Sequence, residues 1–319
     1  MTLLKRNRDM PTLSLQGRIC VPLFLFIFVL SQLVTTPLFA QNLHNRTEEM
    51  YPLGTVIISA ESLPNKVYEA QKNKILISIV FLEKGTDNVL MNSLGTGFVT
   101  ENPGTIITAR HLLTEILVNA EVMKNERIKS NPNFDYDYMF MGTIITRTAW
   151  INFPLSLVAV GEKGTLKDIM VLRTDIQTIQ RAQIAGDAFN PNPYSILMKT
   201  SKFVDANVGD RVYITGFAPG TTEYLDKNNK SIPVYMDLIN HTFPAEVEVL
   251  ITDMPGNRAG VKILYRLRDS AEPGFSGGKV INNEGEVIGM TISMSPSKNF
   301  VYAISSKDLK QFLKDHKVK

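Results

Sequence analysis

The residues with the clearest chemical capacity lie in Ala271-Glu272-Pro273-Gly274-Phe275-Ser276-Gly277-Gly278, where one serine is set among glycines. Glycines at 274, 277 and 278 let the backbone turn sharply and bring N–H groups close to whatever the serine attacks, which residues with a Cβ would hinder. That is what an acyl-transfer nucleophile needs. Taken alone the segment also reads as a glycine-rich turn between two strands, so its partners have to decide. A serine hydroxyl needs a base to take its proton and a third group to orient that base. His111 follows the apolar stretch Ile106-Ile107-Thr108-Ala109-Arg110, and Asp168 precedes Ile169-Met170-Val171-Leu172.

Chain order separates two ways of using this pentapeptide. Gly274-Phe275-Ser276-Gly277-Gly278 satisfies the G-x-S-x-G nucleophile elbow, in which an acid and then a histidine follow the serine. Only 43 residues follow Ser276, and their single histidine, His316, lies in a charged tail. The elbow reading fails on that count. The alternative order is histidine, aspartate, serine, and the spacing here is 57 residues from His111 to Asp168 and 108 from there to Ser276. In that arrangement Ser276 Oγ attacks a carbonyl carbon and His111 takes its proton, later giving it to the leaving amine. Asp168 fixes the imidazole tautomer and stabilises the imidazolium, and the backbone N–H groups of Gly274 and Ser276 form the oxyanion hole.

The elements that must position these groups read as short strands separated by Gly, Asn, Asp and Pro. In the first half they are 75–82, 95–100, 105–108, 138–147, 155–160 and 169–172. A less regular stretch, 177–192, connects to a second series at 211–215, 235–238, 245–251, 261–267, 280–281, 287–293 and 301–304. That is β-sandwich or barrel punctuation. A helix capped by Ser305 or Ser306 and carrying Leu309 and Phe312 on one face ends the chain.

Hydrophobic residues make up 44% and charged residues 20% of the 319, an ordinary globular composition. Lys5, Arg6, Arg8 and Arg18 precede an apolar run from Val21 to Val34, which is followed by Phe39-Ala40-Gln41. This reads as a secretory signal peptide over residues 1–40, with an uncleaved anchor as the alternative. Cys20, the only cysteine, falls inside it, so the mature chain holds no disulfide and relies on core burial, which suits a bacterial periplasmic or secreted protein. Residues 1–40 also hold four of the 34 basic and one of the 31 acidic side chains, which leaves 30 against 30. Nothing in that balance argues for nucleic acid or for a membrane as partner once the segment is removed. His44, His111, His241 and His316 are the only histidines, no metal-ligand cluster is visible, and no cofactor is expected. His241 is read as a loop or surface histidine, and the 119–138 stretch as a cleft edge or a solvated loop.

Four segments resemble the trypsin-like serine peptidases, and more narrowly the bacterial HtrA-type branch. Gly95-Thr96-Gly97-Phe98-Val99 leading to Thr108-Ala109-Arg110-His111 is similar to the family's G-S-G-F and T-N-A-H, and Asp168-Ile169-Met170-Val171-Leu172 to its D-L-A-V-L. Gly209-Asp210-Arg211-Val212 with Gly216 to Gly220 is similar to its second-barrel strand. Pro273-Gly274-Phe275-Ser276-Gly277-Gly278, continuing to Gly289, resembles its P-G-N-S-G-G segment without a gap. The resemblance implies an all-β fold of two six-stranded antiparallel β-barrels with a C-terminal helix and the three side chains in the cleft between barrels. The expected divisions are an N-terminal extension at 41–73, a first barrel at 74–190 and a second barrel with the helix at 191–319, without a peptide-binding PDZ domain. It further implies an exported serine endopeptidase acting on protein or peptide substrates. A catalytically silent binding domain of the same fold is the competing class.

Phe275 departs from the family, whose members carry Asn or Asp there. Activation through an ion pair with a freshly cut N-terminus is thereby ruled out, and what braces the turn before Ser276 is left open, with it whether the oxyanion hole is formed at rest. Arg110 and Lys279 also depart and are compatible with surface positions. By the same analogy the primary pocket is lined by Ser270, Ala271, Thr291 and Ile292. No acidic residue is among them, which suggests a small or medium apolar side chain at the cleaved position.

Overall fold

A computed structural model describes residues 46–51, 55–60, 63–84, 89–113, 125, 136–145, 150–162, 167–177, 193–225, 231–252, 263–268, 274–294 and 300–318. The strands are β1 (Arg46–Tyr51), β2 (Thr55–Ala60), β3 (Lys74–Glu83), β4 (Val89–Val99), β5 (Thr105–Thr108), β6 (Tyr136–Ile145), β7 (Trp150–Val160) and β8 (Met170–Arg173), followed by β9 (Arg211–Leu225), β10 (Ser231–Ile251), β11 (Leu264–Arg268), β12 (Lys279–Ile281), β13 (Val287–Met294) and β14 (Phe300–Ser305). Three helices accompany them, α1 (Asn65–Gln71), α2 (Pro193–Met198) and α3 (Ser306–Asp315).

Strands β3-β4-β5-β8-β7-β6 close into one six-stranded antiparallel barrel. The order β10-β11-β14-β13-β12-β9, closed by the β9–β10 ladder, makes the second. Both follow from strands that are apolar on two faces. In β3, Ile75, Ile77, Ile79 and Phe81 point into the first barrel, while the alternate Leu76 packs on Phe217 of β9. In β5 and β8, Ile106, Met170 and Leu172 fill that barrel, and Ile107 and Val171 face outward into a second core. That core is shared with Met290, Ile304 and the α3 residues Leu309 and Phe312. Period-2 alternation between two buried faces explains why these strands read as continuous apolar runs rather than as apolar and polar in turn.

Among the departures from the sequence-based expectation, two concern the sheet of the second barrel. The segments 235–238 and 245–251 are parts of one 21-residue strand, β10, because His241 to Pro244 stay in register with Gly216 to Tyr213 of β9. Long-range pairing overrides the local polarity that suggested a break. Within the polar stretch 41–73, β1 and β2 form a hairpin that joins the second barrel's sheet through a parallel β2–β10 ladder. Most of the 177–192 connection lies outside the described residues.

The C-terminal helix is fixed by its first turn. Ser305 caps it, its Oγ accepting the Asp308 N–H and donating to Asp308 Oδ2, and that carboxylate also accepts the Ile263 N–H at 2.8 Å from the segment before β11. Asp308→Ala removes both links and leaves the Ile263 donor unpaired. The expected loss is about 1–3 kcal/mol, read as a lower urea midpoint with unchanged slope.

Candidate active site

Antiparallel pairing of β5 with β8 sets Thr108 against Met170. His111, three residues beyond one strand, and Asp168, two residues before the other, are therefore carried to the same end of the barrel. The chain secures them there with backbone as well as side-chain bonds. The Arg110 N–H donates to the Asp168 carbonyl at 3.2 Å, and the His111 N–H donates to Asp168 Oδ1 at 2.7 Å. With Oδ1 so engaged, Oδ2 faces the imidazole, 2.6 Å from Nδ1. A carboxylate accepts only, so Nδ1 carries the proton and Nε2 presents its lone pair. Nε2 lies 2.8 Å from Ser276 Oγ. The three side chains named from the sequence are thus brought into one hydrogen-bonded chain, with the Asp168 side chain 14% exposed and that of His111 28%. Arg110, compatible with a surface position, in fact sets its Nε 3.9 Å from Asp168 Oδ1.

Ser276 sits in a turn that only glycine can complete. Gly274 has φ of +95° and Gly277 of +82°, a region L side chains avoid. At Gly277 a Cβ would also come within 2.2 Å of Thr108 Oγ1 and of the Thr96 carbonyl. The second barrel's loop is that close to the strand leading to His111.

Phe275 is what holds the turn from inside. Its side chain is 1% exposed, edge-on to His241 with ring centroids 5.9 Å apart and tilted against Phe243 at 5.5 Å. His241 is accordingly a buried residue of β10, not a loop or surface histidine. The Phe275 carbonyl accepts from the Gly278 N–H at 2.7 Å and from Thr291 Oγ1. Because the peptide is planar and trans, these bonds turn the Ser276 N–H to the opposite side, away from Thr291.

From the first barrel the turn is gripped by Thr96, which is wholly buried on β4. Its N–H donates to the Ser276 carbonyl at 2.9 Å, and its hydroxyl donates to the Gly274 carbonyl at 2.9 Å while accepting the Phe217 N–H at 2.9 Å. Its own carbonyl accepts from Thr108 Oγ1 at 2.6 Å. The sequence marked Thr96 only as part of a motif; nothing local says where its hydroxyl goes.

Ser270 and Ala271 lie outside the described residues. The Thr291 hydroxyl is committed to the turn, donating also toward the Gly278 carbonyl at 3.1 Å, and Ile292 is 7% exposed within the core shared with α3. Lys279 is not at the surface: it is 2% exposed, and its Nζ donates to the Ala70 carbonyl. Among the described residues there is no cluster of three potential metal ligands.

Two closed six-stranded barrels joined in this way define the chymotrypsin-like fold class. The model of the trypsin-like peptidase domain matches residues 95–290, more than half of the sequence, and the chain belongs to that family. It is a trypsin-like serine protease domain, of the hydrolase class. Among solved structures it is similar to the HtrA-type protease AlgW with a decapeptide, at 12% identity and a TM-score of 0.48, covering 81% of this chain and 68% of that one. It is also similar to the Rv3671c protease from M. tuberculosis in its active form, at 16% identity and a TM-score of 0.43, covering 79% and 87%. No curated protein matches the sequence.

Thr96→Val keeps the shape of the side chain but strands the Phe217 donor and frees the Gly274 carbonyl. It is expected to cost about 1–3 kcal/mol and to speed amide exchange at Phe217, whereas Thr96→Ser retains both bonds and the wild-type protection.

Proposed function

We propose that the protein is an exported serine endopeptidase whose Ser276 is the nucleophile, His111 the general base and acid, and Asp168 the group that orients and stabilises the imidazolium. The observation that carries this is the unbroken pair of contacts, Nδ1 to Asp168 Oδ2 at 2.6 Å and Nε2 to Ser276 Oγ at 2.8 Å. A serine hydroxyl needs such a base to become nucleophilic at neutral pH. In the first half-reaction Oγ bonds the scissile carbonyl carbon and its proton passes to Nε2. The tetrahedral oxyanion is held by the N–H groups of Gly274 and Ser276. Collapse breaks the C–N bond, and the proton on Nε2 leaves with the amine. Water then repeats the sequence on the acyl-enzyme, with His111 again taking and returning the proton, and releases the acid product and free Ser276.

The turn conformation supports the Ser276 N–H as one of the two donors, since the Phe275 carbonyl of the same peptide is tied inward by Gly278 and Thr291. Rigid donors are what make such a hole effective, each one being worth about 3 kcal/mol of barrier. The substrates in this reading are proteins or peptides. By the family resemblance a small or medium apolar side chain precedes the cleaved bond, a reading carried by the absence of an acidic residue among Ser270, Ala271, Thr291 and Ile292 and not by the packing of Thr291 and Ile292, which face the turn and the core. Export rests on the basic, apolar and small-residue order of residues 1–40, with removal after Ala40 delivering the chain to the periplasm or the medium.

A fluorophosphonate probe is expected to label the full-length protein at Ser276, located by peptide mass spectrometry, and to leave His111→Ala and Ser276→Ala unlabelled. Asp168→Asn should lower kcat by about 10⁴-fold through the wrong tautomer. A folded protein that does not label overturns the enzyme reading in favour of a silent binding domain. The native N-terminus should be Gln41 by mass, and an intact Met1 would instead indicate a retained anchor. Cleavage-site mapping that shows a strict basic or acidic preference would sink the apolar-pocket assignment.

A further inference from the structure

Away from the three side chains above, a cavity of about 390 Å³ opens between α1, the 199–202 segment and the turn at 284–286. Three carboxylates stand around it, and each is already held by a lysine. Glu284 pairs with Lys66, Glu286 with Lys202 at 2.5 Å, and Glu69 with Lys72 at 2.7 Å. Two further lysines line the same cavity, Lys199 and Lys279. Lys199 is exposed and also acts on Glu69 through space. Lys279 is 2% exposed at the start of β12, and its acceptor among the described residues is a neutral group, the Ala70 carbonyl.

Ala70 lies in the last turn of α1, and its carbonyl, which also accepts the Asn73 N–H at 3.3 Å, takes the ammonium as a side-chain cap. It uses one of the three donors of an ammonium group. A buried ammonium without an opposite charge is costly, and the cost shows in its proton affinity: burial first, and then the charge of Lys199, bring the Lys279 amine down to about 7. The other buried lysine, Lys74, is close enough to feel the charge of Lys279 as well. The site therefore holds more positive charge than its own carboxylates neutralise. A cation would find every carboxylate occupied; an anion would meet two ammonium groups.

We propose that this cavity is a binding site for an oxyanion, seated between Lys199 and Lys279, with Asn73 and Thr200 as neutral polar groups on its wall. The shared chemistry is a compact anion with two or more acceptor oxygens, either a free inorganic anion or the carboxylate of a larger molecule. The volume favours the second source, since a sulfate-sized ion fills only part of it. Binding holds Lys279 in its charged form. A group whose amine titrates near 7 is charged below that pH and neutral above it, so affinity is full in mild acid and falls as pH rises through 7.

The test is calorimetric titration of the full-length protein with sulfate, whose charge is constant over the range, and with N-acetyl-dialanine as free acid and as amide. Sulfate or the free acid is expected to bind and the amide to fail. Affinity should drop about eightfold from pH 6.5 to pH 8, the change in the charged fraction of a group titrating at 7, with proton uptake at pH 8 seen as heats that differ between buffers. Lys199→Gln, at an exposed position, should weaken binding, and Lys279→Arg should keep it while removing the pH dependence. Binding of sulfate alone assigns an inorganic ligand, and binding of the acid alone assigns a carboxylate. No binding of either anion, equal affinity at both pH values, or affinity unchanged in both Lys199→Gln and Lys279→Met would overturn the proposal.

Discussion

The contact on which the rest depends crosses from one barrel to the other. His111 and Asp168 belong to the β5–β8 edge of the first barrel, and Ser276 belongs to the turn before β12 of the second, so the 2.8 Å between Nε2 and Oγ is a measure of how the two barrels are joined. An error of about 1 Å in such a geometry can cost about 10²-fold in rate. Apolar packing alone does not define position that finely. Thr96 does, because each of its four hydrogen bonds has a direction. Three go to the second barrel, at Ser276, Gly274 and Phe217, and the fourth goes to Thr108 on the strand that leads to His111.

Phe275 completes this from the other side. The residue before Ser276 places an aromatic ring between His241 and Phe243 inside the second barrel. The turn is thus held by burial below and by backbone carbonyls tied to Thr96 and Thr291 at its ends. Gly216 is part of the same solution, since a Cβ there would meet the Phe275 ring at 2.7 Å. Hydrophobic anchoring has no directional preference of its own, and the direction comes from the hydroxyls of the two threonines.

What could be read from the sequence was whatever is local and periodic. Short apolar runs bounded by turn residues marked most strands of both barrels, and the order of His111, Asp168 and Ser276 at strand ends pointed to three distant residues meeting in one place. The serine at the head of α3 was legible because a cap and its partner are three residues apart. The pairing of β10 with β9 through His241 and Pro244 was not, because a ladder partner can lie anywhere in the chain. Burial of polar residues failed for the same reason. Nothing in the neighbours of Thr96, His241 or Lys279 reveals that strands from elsewhere close over them.

The buried lysines show how much interior charge the fold accepts in exchange for position. Lys74, at the start of β3, crosses to the second barrel, donating to the His241 carbonyl at 3.1 Å and lying 5.4 Å from the Phe217 ring, and burial drives its amine well below the usual lysine range. Lys279 reaches from β12 to the end of α1 under the same penalty. In each case the folded state binds its proton less readily than the unfolded chain. Both lysines therefore weaken the fold in acid and neutral solution, and the penalty lifts as pH rises above the folded value toward that of a free lysine. Each amine donates to a main-chain carbonyl: one at His241 in β10, the other at Ala70 in the last turn of α1, which also accepts the Asn73 N–H at 3.3 Å. Removing either amine would relieve the charge and take one hydrogen bond from the carbonyl it reaches, so electrostatic strain and hydrogen bonding oppose one another at both lysines.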